Sequence, residues 1–146
     1  HSILDKNDPM AMVFNENQYI VLDNIFYEFE KAELKAESIT VLDNTVEMLE
    51  SFPEMEINLV SHTDSRGNQD YNKALSQKRA DKARDNLIYK GIAENRLNAI
   101  GIGEDKLLNG CLDGIECSEE MHSINRRTEI EITKLNPATE IFVKKE

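Results

Sequence analysis

An acidic and a basic side chain flank one polar loop of this sequence. Asp64 follows the apolar stretch MEINLV, and Arg79 lies further along in LSQKRA. Strand carboxyl ends and helix amino termini meet at one edge of an α/β sheet, which is the usual ligand edge. We therefore expect Asp64 and Arg79 to lie a few ångströms apart, offering Asp64 to an amine and Arg79 to a carboxylate. A salt bridge that only holds the loop in place would explain the same pair.

The position of Arg79 depends on where its helix begins. Ser76 is a good N-cap and predicts a helix that starts at Gln77. Arg79 would then lie in the first turn, where the helix dipole favours anions over cations. A cation there is explained if Arg79 and the helix amide groups together receive a carboxylate. Asn72 is expected to cap or brace the preceding loop through hydrogen bonds to its backbone.

Other residue patterns point away from catalysis and from cofactors. His62 and Asp64 have the spacing of a metal-binding pair, but nothing else in the chain supplies a convincing set of further ligands. There is no GxSxG nucleophile motif and no GxxxxGK phosphate loop. Gly101 and Gly103 lack the third glycine of a dinucleotide loop, so close packing at a strand end explains them better. We therefore expect no catalytic residue, no metal and no cofactor.

Several remaining charged residues have ordinary roles in this interpretation. Glu104 and Asp105 are expected to face water. Arg126 and Arg127 begin the last strand. One of these two arginines is expected to reach the ligand edge, and the other to pair with an acidic neighbour.

The two cysteines, Cys111 and Cys117, lie in the loop NGCLDGIECSEEMH. Cysteines at this spacing in a glycine-containing loop can close a small disulfide, which would indicate an oxidising compartment. Free thiols are an alternative. A zinc site is less consistent with the sequence, because only His122 is near and further ligands would be needed.

Composition excludes some classes of function. The chain has 146 residues, of which 28 are acidic and 17 basic, and its net charge is −11. Such an acidic chain repels nucleic acid and anionic lipid. No apolar run approaches the roughly 18–20 residues that cross a bilayer. The chain begins HSILDKNDP without a methionine, so we expect a mature segment or an excised part of a longer protein.

Apolar periodicity predicts the element order β-α-β-α-β-β. The predicted strands are 19–30, 55–62, 97–103 and 127–135, and the predicted helices are Ser38–Phe52 and Gln77–Lys90. Alternation in the last strand leaves a polar face outward, so both helices must cover the other face. This pattern is typical of a two-layer α/β sandwich with a mixed sheet. Residues 1–17 are expected to form a linker or arm and residues 136–146 a tail, whose IFV segment is expected to add to a sheet edge.

The segments HTDSRGNQDYNKALSQKRADKARDNLIYKGI, RLNAIGIGE and NRRTEIEI together resemble the OmpA-like C-terminal domain, which also occurs in peptidoglycan-associated lipoproteins and flagellar stator proteins. IFYEFEKAEL is similar to the FxFDKxxL start of that family. The resemblance covers about residues 19–134 and rests on the combined motif. It implies a non-catalytic peptidoglycan-binding domain, residues 18–135, located in the periplasm and associated with the outer membrane.

The resemblance also implies a ligand and its contacts. In that family, the residues at the positions of Asp64 and Arg79 hold the amine and carboxylate of diaminopimelate in the peptidoglycan stem peptide. The same resemblance assigns further contacts to Glu28, Asn72 and Arg126, although Glu28 is longer than the usual Asp or Asn.

The cysteine loop is not part of the general family pattern. It looks like a variant found in OmpA-family proteins of Bacteroidetes. This implies the C-terminal domain of a larger outer-membrane lipoprotein or secretion-machinery component, with other domains and outer-membrane or secretion-complex proteins as partners. Two alternatives stay open: a protein-interaction module of a periplasmic complex, and a cell-wall hydrolase, for which the sequence offers no convincing nucleophile or metal.

Overall fold

A four-stranded mixed sheet with helices on one face forms the body of the protein. The computed structural model describes residues 11–15, 18–27, 31–34, 36–134 and 139–143. The strands are β1 (Ala11–Asn15), β2 (Gln18–Phe26), β3 (Glu56–His62), β4 (Leu97–Gly103), β5 (Arg127–Lys134) and β6 (Thr139–Val143). The helices are α1 (Ala36–Ser51), α2 (Gln69–Tyr89) and α3 (Glu119–Ser123), and a 3-10 turn covers Glu94–Arg96.

The strand order in the main sheet is β2-β5-β3-β4. β3 pairs parallel with β4, while β5 pairs antiparallel with both β2 and β3. A parallel pair needs a crossover, and α2 supplies it between β3 and β4. The predicted β-α-β-α-β-β order and the two-layer α/β sandwich are confirmed.

Alternating residues on the central strands build the core. Ile57 and Leu59 of β3 lie opposite Ile132 and Ile130 of β5, so their side chains share one face of the sheet. The two long helices bury their apolar residues on this face, and the helix members of the core are Leu42, Met48, Leu49, Ala83 and Leu87. The prediction that both helices cover one face is therefore confirmed.

The second long helix begins earlier than the sequence predicted. α2 starts at Gln69, because the Asn68 side chain accepts hydrogen bonds from the backbone N–H groups of Asp70 (2.7 Å) and Tyr71 (3.2 Å). Such a cap satisfies amide groups that the first helical turn leaves unpaired. The prediction that Ser76 caps a helix beginning at Gln77 is wrong.

Ser76 instead lies inside α2 and connects the helix to the sheet. Its hydroxyl donates to the carbonyl of Lys73 (2.8 Å) and accepts from the backbone N–H of Gly103 (2.8 Å). At Gly101, an added Cβ would lie only 2.2 Å from the backbone nitrogen of Gln77. This close approach of β4 to α2 confirms that Gly101 serves packing at the strand end.

Smaller differences between the predicted and observed boundaries occur in the first helix and the first strand. Ser38, at which the first predicted helix begins, lies inside the first turn of α1 and is buried. The first predicted strand, 19–30, corresponds to β2, which ends at Phe26. Residues 28–30, including Glu28, lie outside the described residues.

The first and the last strand of the chain pair with each other. β1 and β6 form a separate two-stranded antiparallel sheet, in which Ala11 lies opposite Val143. The IFV segment of the predicted tail therefore belongs to this small sheet and not to an edge of the main one. The division of the chain into 1–17, 18–135 and 136–146 stays a prediction. Among the described residues, no helix combines the length and the apolar character needed to cross a membrane.

Candidate functional site

The loop that follows β3 carries a buried carboxylate. Asp64 is 2% exposed. Its Oδ1 accepts a hydrogen bond from the backbone N–H of Arg66 (3.0 Å), and its Oδ2 accepts from Arg66 Nη2 and Arg126 Nη1 (2.9 Å each). Burial alone would raise the pKa of Asp64, but the hydrogen bonds from the two arginines outweigh it and hold the pKa below its ordinary value. Asp64 is therefore an ionised group inside the protein.

Arg126 connects this carboxylate to two other parts of the chain. Its Nε donates to the carbonyl of Tyr27 (2.7 Å), and its Nη2 donates to Oε2 of Glu119 (2.5 Å). Arg66 Nη2 donates to the other oxygen of Glu119, Oε1 (3.0 Å). We call these four side chains, Asp64, Arg66, Arg126 and Glu119, the charge ring.

The charge ring has a buried side and an exposed side. The side chains of Asp64 and Arg126 are 3% and 5% exposed, whereas those of Arg66 and Glu119 are 34% and 59% exposed. Hydrogen bonds from Arg126 and then from Arg66 lower the pKa of Glu119, so its carboxylate is ionised at neutral pH. A dissolved molecule therefore meets Glu119 and Arg66 before it meets Asp64.

Arg79 lies close to the charge ring but has different contacts. It projects from the interior of α2 and not from its first turn, so the predicted use of the helix amino terminus is wrong. Its Nε donates to the carbonyl of Lys31 (2.7 Å), its Nη1 donates to the carbonyl of His62 (3.1 Å), and its guanidinium carbon lies 4.6 Å from the centre of the Tyr27 ring. Burial lowers the pKa of Arg79 to about 10, so it remains a cation at neutral pH.

Tyr27 contacts both Arg79 and Arg126, and so connects Arg79 to the ion pairs of Asp64. Its ring contacts Arg79, while its carbonyl accepts a hydrogen bond from Arg126, which in turn pairs with Asp64. The charges of Arg126 and Asp64 both influence the pKa of Arg79. The structure therefore brings Asp64, Arg79 and Arg126 together at one edge of the sheet. It also gives Asp64 two arginine partners, Arg66 and Arg126.

Asn72 holds the loop after β3 in shape. Its side-chain amide donates to the carbonyl of Arg66 (3.0 Å) and to the Glu104 carboxylate (3.1 Å). Gly67 turns the loop with a φ of +94°, which L side chains rarely adopt. The prediction that Asn72 braces the loop is confirmed. The expectation that Glu104 only faces water is wrong, because that side chain anchors the brace.

The two arginines at the start of β5 divide as predicted. Arg126 reaches the sheet edge that carries Asp64, and Arg127 Nε pairs with Glu129 (2.9 Å). Glu129 also binds His62 Nε2 (3.1 Å). The hydrogen bond from His62, followed by that from Arg127, lowers the pKa of Glu129 to about 2. His62 and Asp64 thus engage different partners, and the described part of the chain contains no group of three or more potential metal ligands.

A disulfide joins Cys111 and Cys117, as the favoured interpretation of the sequence predicted. Cys111 is fully buried, and its carbonyl accepts a hydrogen bond from the Ser65 hydroxyl (2.5 Å). The disulfide loop thereby contacts the residue next to Asp64. After Cys117, Ser118 caps α3, and Glu119 is the first residue of that helix.

Two members of the charge ring were not anticipated from the sequence. Arg66 lies two residues after Asp64 in the same polar motif, and that proximity was a usable signal. Glu119 had no comparable signal, because it is distant in the chain and reaches the ring only after the disulfide loop folds back. Of the predicted ligand residues, Asp64, Asn72, Arg79 and Arg126 lie around one site, while Glu28 is outside the described residues.

A basic cleft lies beside Arg79. Its volume is about 350 Å³, and its lining includes three lysines, Lys31, Lys78 and Lys82, and one carboxylate, Glu33. Lys31 is also the residue whose carbonyl binds Arg79. In a chain with a net charge of −11, three lysines against one carboxylate give this cleft a local excess of positive charge that suits anionic groups. The arrangement as a whole can recognise carboxylates and amines.

Comparison with known proteins places this fold and sequence in a family. The model of the OmpA family matches residues 26–115. The chain is 34% identical over 95 residues to a peptidoglycan-associated lipoprotein of Rhizobium meliloti, an alignment that covers 65% of this chain and 53% of the relative. It is 30% identical over 124 residues to outer membrane porin F of Pseudomonas fluorescens, covering 85% of this chain and 35% of that protein.

A solved structure agrees with these matches. The crystal structure of the peptidoglycan-associated lipoprotein from Burkholderia pseudomallei superposes with a TM-score of 0.68 at 25% identity, covering 75% of this chain and 89% of that one. The relatives named here are proteobacterial and so give no support to the predicted Bacteroidetes origin. The chain spans about half the length of the lipoprotein relative from Rhizobium meliloti. By the match of its sequence over residues 26–115, the chain belongs to the OmpA family.

Proposed function

We propose that this chain binds peptidoglycan non-covalently through the diaminopimelate of its stem peptide. One observation carries the proposal: Asp64, Arg79 and Arg126 lie together at one sheet edge in a member of the OmpA family. Relatives at 34% and 25% identity are named peptidoglycan-associated lipoproteins, which supports the same ligand. By this binding, the chain would anchor an outer-membrane or secretion-machinery protein to the cell wall.

The charges of the site suit the head group of diaminopimelate. Its free amine would bind the Asp64 carboxylate, which is held ionised, and its carboxylate would bind Arg79 or Arg126. In the structure, both arginines donate hydrogen bonds to backbone carbonyls, and Arg126 also donates to carboxylates. The ligand would replace some of these acceptors. Asn72 would keep the loop in shape, and we also assign Glu28 to the ligand contact.

The amine needs a path to Asp64. Arg66 covers that carboxylate from the solvent side, and its own side chain is 34% exposed. A long, partly exposed arginine can swing away from its partner at small cost, because solvent screens the pair. We therefore assign Arg66 the role of a movable cover over Asp64, while the buried Arg126 stays in place.

The periplasm, in association with the outer membrane, is the compartment that fits this function. The relatives include an outer membrane porin and a peptidoglycan-associated lipoprotein. The Cys111–Cys117 disulfide is consistent with an oxidising compartment. We further propose that the chain is one domain of a larger outer-membrane lipoprotein or secretion component, whose other domains and partner proteins act with it.

A role as a protein-interaction module is the second candidate, and an observation favours it. Large apolar side chains along the disulfide loop and α3 are 43% to 61% exposed: Leu108, Leu112, Ile115, Met121 and Ile124. Exposed apolar residues concentrated in one segment are typical of surfaces that bind other proteins. Glu119 of the charge ring is the first residue of α3, so this segment adjoins the proposed ligand site and the two roles are compatible in one domain.

We propose a non-catalytic role in place of the hydrolase alternative. The relatives described above are named as peptidoglycan-associated lipoproteins and as an outer membrane porin. The buried carboxylate Asp64 is paired with two arginines, which suits charge recognition better than proton transfer. Incubation with purified cell walls tests this point: release of soluble muropeptides would contradict it.

Sedimentation with purified sacculi tests the proposed ligand. The domain should sediment with sacculi that contain diaminopimelate, and much less with peptidoglycan that carries lysine at the same position. Lysine lacks the second carboxylate that Arg79 and Arg126 would bind, while its amine is unchanged. Equal sedimentation with both wall types would overturn the assignment of diaminopimelate, and no sedimentation with either would overturn peptidoglycan binding.

A further inference from the structure

We propose that Glu119 is a built-in competitor for the ligand: its carboxylate occupies the place on Arg126 that a ligand carboxylate would take, and it also holds Arg66 in position over Asp64. This inference rests on the proposed function and adds to it a residue that sets affinity. It also assigns a role to the disulfide loop, which is not part of the general family pattern.

The hydrogen bonds of Glu119 are those expected of a bound carboxylate ligand. Oε2 accepts from Arg126 Nη2 at 2.5 Å, and Oε1 accepts from Arg66 Nη2 at 3.0 Å. Each oxygen thus has its own guanidinium donor, an arrangement that carboxylates adopt readily with arginines. A ligand carboxylate that arrived at Arg126 Nη2 would have to displace Glu119.

The position of Arg126 limits where a ligand can bind it. Its Nε donates to the Tyr27 carbonyl and its Nη1 to Asp64, and both of these contacts lie on the buried side of the site. Nη2 faces Glu119, whose side chain is 59% exposed. Glu119 therefore covers the side of Arg126 that a dissolved molecule can approach.

Charge balance favours the same conclusion. The charge ring contains two guanidinium groups and two carboxylates, so it is neutral as a unit. Without the Glu119 carboxylate the ring keeps one net positive charge, and Arg126 with a side chain only 5% exposed carries part of it. A poorly hydrated cation gains more from an arriving anion than a well-hydrated one does.

The disulfide loop keeps the competitor close to the ring. Cys117 lies two residues before Glu119, and its partner Cys111 receives the Ser65 hydrogen bond of 2.5 Å next to Asp64. Ser118 caps α3 by accepting a hydrogen bond from the backbone N–H of Met121 (3.2 Å). A group tethered in this way has a high effective concentration at the site, so it competes even though its ion pairs are partly exposed.

Titration with a soluble stem peptide that contains diaminopimelate tests the inference on the full chain. Glu119→Gln keeps the size of the side chain and removes its charge. We expect it to bind the peptide up to about fivefold more tightly than the unchanged protein, the upper end of the range that one partly exposed ion pair represents. Glu119→Asp, whose shorter side chain cannot reach both arginines equally, should fall between the two.

Glu120→Gln is the matched control. Glu120 lies in the same first turn of α3, is exposed and carries the same charge, so it tests the general effect of removing one negative charge. Its affinity for the peptide should stay at the level of the unchanged protein. An equal gain in Glu120→Gln and Glu119→Gln would show a long-range charge effect and overturn the competitor role.

The outcomes also separate this inference from the proposed function. If the unchanged protein binds the peptide and Glu119→Gln binds it equally or more weakly, the competitor role is wrong and peptidoglycan binding stands. If neither protein binds the peptide, the proposed function fails and the inference fails with it. Urea unfolding of Glu119→Gln and Glu119→Ala checks whether any loss of binding comes from a loss of folding.

Discussion

Arg126 Nη1 and Asp64 Oδ2 form an ion pair of 2.9 Å in which both side chains are almost fully buried, at 5% and 3% exposure. The pair connects the loop after β3 to the residue that precedes β5. Removing one member of a buried pair leaves the other charge without compensation, which is costly. The two residues are therefore at once a structural link and the buried half of the proposed ligand site.

Arg126→Ala should destabilise the domain and weaken its binding to peptidoglycan. We expect the free energy of unfolding to fall by up to about 3 kcal/mol, since Arg66 still compensates part of the Asp64 charge. Urea unfolding measures the stability, and sedimentation with sacculi measures the binding. Arg84→Ala is the control, because Arg84 donates to the carbonyls of Leu97 and Glu94 away from the charge ring. A stability of Arg126→Ala equal to that of the unchanged protein would contradict the buried link.

Asp64→Ala and Arg79→Ala should each abolish or strongly weaken sedimentation with sacculi. Loss of one partner in a desolvated charge contact typically costs about 2–5 kcal/mol of binding free energy. Both residues also have buried contacts within the protein, so circular dichroism must show that each variant is folded. A folded variant that sediments as the unchanged protein does would exclude that residue from the ligand site.

Lys78 and Lys82 should strengthen binding of the anionic stem peptide through the basic cleft. The double variant Lys78→Gln/Lys82→Gln is expected to bind sacculi several-fold more weakly, and its binding should depend less on salt, because fewer screened charges contribute. Lys73→Gln is the matched control, as Lys73 is exposed on the same helix and does not line the cleft. Equal losses in the control and the double variant would show that only net charge matters.

Glu129 should make the domain sensitive to acid. Its pKa is lowered from 4.5 to about 2 by hydrogen bonds from His62 and Arg127, so the charged form is favoured in the folded state. A lowered pKa contributes stability above pH 4.5, and this contribution is lost as the pH falls from there towards 2. Glu129→Gln should be less stable than the unchanged protein at pH 7, and the difference should shrink below pH 4. Urea unfolding at several pH values checks this. A difference in the free energy of unfolding between the two proteins that does not change with pH would contradict the lowered pKa of Glu129.

The disulfide should stabilise both the fold and the loop that carries Glu119. Replacing both cysteines, as Cys111→Ser/Cys117→Ser, is expected to lower the free energy of unfolding by about 2 kcal/mol, the value for closing a short loop. Mass spectrometry with and without a reductant first establishes that the bond is present in the purified protein. Two free thiols in protein purified without a reductant would contradict the disulfide.

The order of the elements was readable from the sequence because the periodicity of apolar residues is a local property. Alternation in the last strand, with Ile130 and Ile132 on one face, identified β5, and the predicted helix end at Lys90 lies one residue beyond the end of α2. The start of α2 was not readable in the same way. Asn68 and Ser76 are both good N-caps, and the choice between them depends on contacts of Ser76 with β4 that only the folded chain makes.

The sequence by itself determined the strand that precedes Asp64 and the helix that carries Arg79, because apolar periodicity is a local property. Its resemblance to the OmpA family then grouped these two residues with Asn72 and Arg126 as one expected site. Only the tertiary structure decided how their charges are paired. The charge ring joins side chains from the loop after β3 and from the segment between β4 and β5, which are distant in the chain. Glu119 reaches this ring because the disulfide loop folds back against Ser65, and ion pairs across such distances have no periodic or local pattern in the sequence.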